Sequence, residues 1–333
     1  MVEHITQNRH NNFNLLRLIF AILVLLSHSF ELIDGNRSRE ILTSIFHTIS
    51  FGELAVDGFF LLSGYLIVQS WQFLPQAGRF LKKRILRIYP GFIVATIICT
   101  FVVAPLGSNM PNYFSGFPFL GFLRNIALLA PPITHPIFLG QPYPTVNGVI
   151  WTIFIEFECY LAVLLIGFLG GIGKRQIWLS LTLAIFFVFS LQKFGFSFSD
   201  SIPFRLVCFF FVGGSFYLYR ELFSFNRKLV LVSAILLIIL MFNGRVAELA
   251  LAILGGYLLF QFAFMPSPFL LRFLKFPDLS YGVYLYGWPT QKLLLWNFPM
   301  LSSWILFILT CCICFICGSI SWYGIEKQFL KLK

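Results

Sequence analysis

The feature that most constrains this chain is a series of apolar runs, each about as long as a helix needs to cross a bilayer. The first run, LLRLIFAILVLLSHSF, covers residues 15–30, and several comparable runs follow it. Hydrophobic residues make up 58% of the 333 residues and charged residues only 11%. A soluble domain of this length could not bury so much apolar surface. The sequence therefore predicts an all-α protein, a polytopic transmembrane helical bundle.

Hydropathy predicts about ten membrane-spanning helices. They are expected near residues 14–31, 52–72, 88–106, 148–168, 177–193, 204–219, 228–242, 246–264, 279–296 and 303–323. No polar linker of any size separates these segments, so residues 1–333 are predicted to form a single integral-membrane domain.

The Lys and Arg residues indicate how the chain is oriented in the membrane. They are roughly three times as frequent in the segments that share a side with the N-terminus as in the others, which predicts that both termini are cytoplasmic. The net charge of +11 is then a consequence of basic cytoplasmic loops, and a nucleic-acid partner is not expected.

Two polar residues in the first apolar run need an explanation. Arg17 and His28 would each cost about 2.5–3.5 kcal/mol near the centre of a bilayer, and less near its edges. They are eleven residues apart, so a helix places them on one face roughly 16 Å apart along its axis. The orientation puts Arg17 near the cytoplasmic surface and His28 nearer the outside.

The predicted cytoplasmic end of the third span is strongly basic. The segment FLKKRILRIYP contains Lys82, Lys83, Arg84 and Arg87, of which Arg84 and Arg87 are one helical turn apart. Such a cluster, with Arg17 on the same side, suits a ligand that carries several phosphates. Positive-inside orientation and binding of lipid headgroups are the alternative explanation.

Carboxylates are predicted at the depth of His28. Asp57 lies in the second span, and Glu156 and Glu158 lie in the fourth, where at most one of the two can face the histidine. A carboxylate beside an imidazole fixes its tautomer and supports it as a general base. A structural ion pair, for example with Arg205, is the alternative role for these acids.

The predicted external loop over residues 107–147 is rich in proline and aromatic residues. Its segment FPFLGFLRNIALLAPP is too short to span a bilayer and is expected to lie in the interface or to dip back into the membrane. Aromatic residues with few charges suit an acceptor such as a sugar, although anchoring at the interface explains them equally well.

Phosphate-binding residues on the inner side and a base about 16 Å farther out would fit a long thioester carrier such as acyl-coenzyme A. An anionic transport substrate could also use the inner arginines, but it would give the outer histidine and acids no task. No set of metal ligands is visible in the sequence.

The same residues resemble motifs of the bacterial acyltransferase-3 family. The family pattern is similar to LLRLIFAILVLLSHSF, AVDGFFLLSGYLI, KKRILRIYP, WTIFIEFECY and SYGVYLYGWP, in this order, and the resemblance covers about residues 10–325. Thr152 stands where the family usually has Ser. Many members carry His where Gly287 stands here, so a role for a second histidine is not transferable.

The resemblance implies a ten-helix enzyme of the bacterial inner membrane, an O-acetyltransferase that uses cytoplasmic acetyl-CoA. The expected acceptor is a sugar hydroxyl of a surface polysaccharide, such as O-antigen (the glycan part of lipopolysaccharide), or of its lipid-linked precursor. His28 would be catalytic, with Arg17, Arg84 and Arg87 serving the donor. A fused extracytoplasmic esterase-like domain, present in some members, is not expected.

Several points stay open at this stage. Asp57 or Glu156 would orient His28, and either direct transfer or an acetyl-histidine intermediate is compatible with the sequence. Ser63 or Tyr281 could serve as an oxyanion donor. A transporter or flippase for a lipid-linked saccharide is the alternative function.

Overall fold

The structure is a computed structural model and describes residues 11–196, 203–223, 226–265 and 277–332. These residues form helices and loops, and no strand occurs among them, which confirms the all-α prediction. The ends of the chain, residues 1–10 and 333, lie outside the described residues, so the cytoplasmic location of both termini stays a prediction. The main helices are α1 (Phe13–Asp34), α2 (Phe51–Phe73), α3 (Ala77–Leu106), α4 (Phe119–Ala127), α5 (Trp151–Phe168), α6 (Arg175–Lys193), α7 (Phe204–Leu218), α8 (Arg227–Leu240), α9 (Ala247–Ala263), α10 (Ser280–Asn297) and α11 (Ser303–Leu330).

Each predicted span overlaps one of these helices. By length and apolar composition, six helices among the described residues can cross a membrane, namely α1, α2, α3, α5, α6 and α11. Helices α7 and α9 are apolar but shorter. The total of about ten spans therefore stays a prediction.

The helices expose large apolar side chains. Leu165 on α5, Phe187 on α6, Ile239 on α8 and Ile316 on α11 are all exposed. Apolar residues on the outside of long apolar helices are what a hydrocarbon environment requires. This pattern is that of a membrane protein.

The chain forms two compact units whose segments alternate along the sequence. The first unit takes its described residues from Met1–Phe20, Ile41–Phe80 and Glu158–Pro277, and the second from Ala21–Glu40, Leu81–Phe157 and Asp278–Lys333. Because both units combine distant segments, neither corresponds to a continuous stretch of sequence. The predicted single domain over residues 1–333 stays a prediction.

Close approach of α2 and α7 organises the first unit. A Cβ added to Gly64 would lie 1.9 Å from the carbonyl oxygen of Phe210, and one added to Gly213 would lie 2.1 Å from that of Leu61. Small residues at such points let two helix backbones pack together within a membrane. A capping box starts α2, in which the Ser50 hydroxyl and the Glu53 carboxylate each accept a backbone N–H of the other.

In the second unit, α10 packs closely against α11. A Cβ on Gly282 would lie 2.7 Å from the Cα of Gly318. The amide of Asn147 donates to the carbonyl of Leu285 at 2.9 Å, which joins the end of the 107–147 loop to α10. Helix α10 therefore contacts both α11 and the end of the 107–147 loop.

Candidate active site

His28 lies in the second unit, on the last third of α1. Its imidazole packs edge-on against Trp288 of α10, with ring centroids 4.9 Å apart and an angle of 82° between the rings. Trp288 itself is 5% exposed, and its indole N–H donates to the carbonyl of Thr145 at 3.2 Å. His28 is only half-buried, and no hydrogen bond to its imidazole is found among the described residues.

Hydrogen bonds join the face of α1 that carries His28 to α10. The fully buried side-chain amide of Gln291 donates to the carbonyl of Leu25 at 2.8 Å and to the hydroxyl of Ser29 at 2.7 Å. Gly287 faces the side chain of Leu25, which a Cβ at residue 287 would approach to 2.8 Å. The missing side chain at Gly287 thus allows α1 and α10 to meet beside the histidine.

A buried acid that the sequence analysis did not single out lies one helical turn after His28. Glu31 is almost completely buried and forms an ion pair with Arg37 at 2.9 Å. Its carboxylate also lies near Tyr143 of the 107–147 loop and, as a hydrogen-bond acceptor, raises the pKa of that phenol. The sequence shows that Glu31 follows His28 by three residues, which puts both on one face of the helix. It does not show that Glu31 is buried, because the nearby 107–147 loop is distant in sequence.

Asp57 lies in the first unit, on α2. Its Oδ1 is 3.4 Å from the Nε of Arg205, which confirms the ion pair considered as an alternative in the sequence analysis. The Nη1 of Arg205 is also 3.2 Å from Glu248, and Glu248 is further paired with Lys193. Asp57 is therefore part of a charge cluster, and its role as the partner of His28 stays a prediction.

Glu156 lies in the second unit and is half-buried on α5, one turn after Thr152. The Thr152 hydroxyl is 2.7 Å from that of Tyr284, so the Thr that replaces the usual Ser still holds α5 to α10. Glu158, the second acid of α5, is exposed. The role of Glu156 in orienting His28 stays a prediction.

The arginines expected to serve the donor lie on two helices. Arg17 is half-buried on α1, eleven residues before His28, and the separation of about 16 Å between them stays a prediction from helix geometry. Arg84 and Arg87 are half-buried and one turn apart on α3. Arg87 forms an ion pair with Asp278 at 2.5 Å, so its guanidinium is fixed beside the start of α10.

The two residues considered as oxyanion donors have different environments. Tyr281 donates its hydroxyl proton to the carbonyl of Ile88 at 2.9 Å, which occupies the donor that an oxyanion would need. The Ser63 hydroxyl is 3.2 Å from that of Tyr160 in the first unit.

No group of three or more His, Cys, Asp or Glu side chains within the described ranges could hold a metal ion.

Comparison with known proteins gives matches along nearly the whole chain. The acyltransferase-3 family model, described as an acyltransferase domain, matches residues 10–323. The chain is 27% identical to the O-acetyl transferase of Shigella phage Sf6 over 345 residues, which cover 97% of each protein. It is also 27% identical over 365 residues to nodulation protein 10 of Rhizobium leguminosarum bv. viciae, covering 99% of this chain and 96% of that protein.

A shorter match, 26% identical over 142 residues, is to acyltransferase MdmB of Streptomyces mycarofaciens and covers 42% of this chain and 35% of that protein. No solved structure is significantly similar to the chain. Because the family match extends over almost all of its length and two of these three relatives are acyl-transferring proteins by name, the chain belongs to the acyltransferase-3 family and is a membrane acyltransferase.

Proposed function

We propose that this protein is an O-acetyltransferase of the bacterial inner membrane. It would move an acetyl group from cytoplasmic acetyl-CoA to a sugar hydroxyl of a surface polysaccharide such as O-antigen, or of its lipid-linked precursor. The similarity to the O-acetyl transferase of Shigella phage Sf6 over 97% of both chains supports acetyl transfer to oxygen. The observation that carries the proposal is the half-buried imidazole of His28, held by Trp288 and left without an internal hydrogen bond among the described residues.

The donor is proposed to bind through Arg17, Arg84 and Arg87. Guanidinium groups suit phosphates because their N–H donors form a planar fork. The half-buried Arg84 and Arg87 share one face of α3, and the Asp278 carboxylate restricts the position of Arg87. The continuous α1 helix is long enough for a pantetheine arm to extend alongside it, since Arg17 and His28 are separated by about 16 Å.

His28 is proposed to act as the general base. Its neutral imidazole takes the proton of the acceptor hydroxyl while the oxygen attacks the thioester carbonyl, which forms the new C–O bond. Collapse of the tetrahedral intermediate breaks the C–S bond, and the imidazolium returns its proton to the departing coenzyme A thiolate. An acetyl-histidine intermediate, followed by attack of the acceptor, balances equally well.

A carboxylate that holds one tautomer of His28 would make it a better base. Asp57 or Glu156 is proposed for this role, and Ser63 is the remaining candidate donor for the oxyanion. Membrane lipids surround the protein, and neither a metal ion nor a nucleic acid is proposed as a partner.

The experiment that tests the function measures ester-linked acetate on the surface polysaccharide of the host. Cells that lack the native protein would express the wild type, His28→Asn or His47→Asn at matched membrane levels. His47 is an exposed histidine with a φ of 59°, which asparagine tolerates, so both variants lose one imidazole by the same substitution. Acetate is expected with the wild type and His47→Asn, and not with His28→Asn.

A second arm measures release of free coenzyme A from acetyl-CoA by the purified protein. Equal acetate on glycan from wild-type and His28→Asn cells would remove His28 from the chemistry. Purified wild-type protein that never turns over acetyl-CoA, with or without de-O-acetylated polysaccharide, would instead favour a transporter or flippase for a lipid-linked saccharide.

A further inference from the structure

A completely buried lysine lies close to His28 in the second unit. Lys292 of α10 is 0% exposed, and its ammonium donates to the carbonyl of Pro142 at 2.8 Å. The same nitrogen is 5.1 Å from the centroid of the Phe138 ring. Within the part of the chain that the structure describes, no carboxylate lies within ion-pair distance of it. A buried cation without an acidic partner is rare, and such a residue inside a membrane is a functional candidate by default.

Both contacts of Lys292 are with one short stretch of the 107–147 loop, residues 138–145. The backbone of this 138–145 segment is strained, because Phe138 has a φ of 50° and Tyr143 a φ of 52°. Bulky side chains rarely adopt this left-handed conformation, and it persists only where the surrounding structure holds it. Gly140, with a φ of 84°, lies between them and tolerates the conformation without strain.

Helix α10 holds the 138–145 segment at a second point. Trp288, one turn before Lys292, donates its indole N–H to the carbonyl of Thr145. At the beginning of the segment, the backbone N–H of Phe138 donates to the carbonyl of Gly107 at 2.8 Å. The segment is thus fixed at its start, at Pro142 and at its end, and two of these three contacts come from α10.

The fixed segment presents Tyr143 near the imidazole of His28. The Tyr143 ring is 6.0 Å from the ring of Trp288, which in turn packs against His28. The Tyr143 phenol lies near the carboxylate of Glu31, one turn after His28 on α1. Tyr143 is 41% exposed, whereas Trp288 is 5% exposed, so Tyr143 is the ring of this pair that a substrate can contact.

We propose that Lys292 is a positioning residue that holds the 138–145 segment so that the exposed ring of Tyr143 binds the acceptor beside His28. The proposal rests on the proposed acetyltransferase function and names the chemical class of the acceptor group. A sugar ring has an apolar C–H face that packs on an aromatic ring, and hydroxyls at its edge that can reach a base. The exposed aromatic ring of Tyr143 suits such stacking.

The first arm of the test measures loop position without activity. Hydrogen–deuterium exchange of the amides of residues 138–145 is compared in lipid nanodiscs for the wild type, Lys292→Met, Lys292→Arg and Leu139→Ala. Leu139 is 65% exposed in the same segment and serves as the matched control. Lys292→Met is expected to speed exchange in this segment about tenfold, and Lys292→Arg, which keeps a charged donor, to restore much of the protection.

The second arm measures acetyl transfer from saturating acetyl-CoA to de-O-acetylated surface polysaccharide of the host. Lys292→Met and Tyr143→Ala are each expected to raise the KM for the polysaccharide about tenfold and to lower kcat less than that. Tyr143→Phe keeps the ring and should stay closer to the wild type than Tyr143→Ala. If Lys292→Met does not fold, Lys292→Gln replaces it, since it also removes the ammonium but places a polar group in the buried site.

Unchanged exchange in Lys292→Met would overturn the proposal, because Lys292 would then not hold the segment. So would a Tyr143→Ala protein with the wild-type KM for the polysaccharide. If the wild type transfers no acetyl group to the polysaccharide, the proposed function and the acceptor half of this inference fail together. The exchange arm still decides the positioning half in that case, so the two failures can be distinguished.

Discussion

The Nε of Arg205 on α7 lies 3.4 Å from the Oδ1 of Asp57 on α2. Asp57 is 0% exposed, so its charge depends on this guanidinium more than on water. Arg205 also approaches Glu248 at 3.2 Å and Glu53 at 3.8 Å, which makes it the common partner of three acids. The stability of the first unit should therefore depend more on Arg205 than on any one of the carboxylates.

Arg205→Gln is expected to lower the free energy of unfolding by about 3–5 kcal/mol, because it leaves the buried carboxylate of Asp57 without its cation. Asp57→Asn should lower it by only about 1–2 kcal/mol, since Arg205 keeps its other two acids. The double variant Asp57→Asn/Arg205→Gln should be more stable than Arg205→Gln alone. Apparent unfolding temperatures of the detergent-purified proteins would measure this order.

The exposed pair of Arg39 and Asp34 provides the control. Arg39→Gln should change the stability by no more than about 1 kcal/mol, because solvent screens an exposed ion pair. A double variant at Asp57 and Arg205 that shows the simple sum of the two single effects would contradict the predicted coupling.

A second prediction concerns the contact between α2 and α7. Gly64→Ala would place a Cβ 1.9 Å from the carbonyl oxygen of Phe210, and this backbone atom cannot move without moving α7. The expected loss is about 1–3 kcal/mol or more, as for other overpacked sites. Gly78→Ala is the matched control, since a Cβ at Gly78 meets no atom within 4 Å and alanine favours the helix. The measurement is the apparent unfolding temperature, and equal values for the two variants would show that α2 and α7 are not closely packed.

The positions of the helices could be predicted from the sequence because they depend on local apolar composition. Helix α3 extends beyond the membrane span predicted near residues 88–106, since it begins at Ala77. The hydropathy of the sequence falls at the basic residues of KKRILR, but the helix continues through them. Long basic side chains can extend away from a helix, so they do not interrupt its backbone hydrogen bonds. The charge pattern therefore marks the end of the apolar surface and not the end of the helix.

The candidate site was less accessible to sequence reasoning. His28 and the Arg84–Arg87 pair could be proposed because ionisable residues in or beside apolar runs are conspicuous. Lys292 was equally conspicuous in the sequence. Its proposed role, however, depends on the carbonyl of Pro142, which is about 150 residues away in sequence. Only the packing of the 107–147 loop brings the two together. The partner of Asp57 could be suggested from charge alone, whereas the buried Glu31 could not, because nothing local predicts its burial.

A third prediction concerns donor binding. Arg84→Gln is expected to raise the KM for acetyl-CoA roughly tenfold or more, since a charge-assisted hydrogen bond contributes about 1.5–3 kcal/mol. Lys82→Gln removes a charge from the exposed part of the same basic segment and should have little effect. Initial rates of acetyl-CoA turnover by the purified proteins give these values.

The ion pair between Arg87 and Asp278 adds a second comparison. If Arg87 binds donor phosphate, Asp278→Asn should leave the KM for acetyl-CoA unchanged or lower, because the competing carboxylate is gone. A KM that rises equally in Arg87→Gln and Asp278→Asn would show that the pair acts only by holding α3 to the start of α10.

The last prediction concerns Gly287, where many family members carry histidine. The Cβ of a residue at 287 would lie 2.8 Å from the Cδ1 of Leu25, and Leu25 is itself almost completely buried. Gly287→His should therefore lower the unfolding temperature and separate α1 from α10 close to His28. Acetyl transfer should fall with it, even though the substitution introduces the residue common in the family.

Leu25→Ala removes the side chain that a residue at 287 would meet, so combining the two substitutions tests this explanation. Leu25→Ala alone should destabilise the protein by about 2–5 kcal/mol through the cavity that it leaves. The double variant Leu25→Ala/Gly287→His should be more stable than the sum of the two single effects predicts, because the imidazole occupies that cavity. Unfolding temperatures of the four proteins measure this coupling. If Gly287→His is instead as stable and as active as the wild type, then contact with Leu25 does not explain why glycine occupies this position.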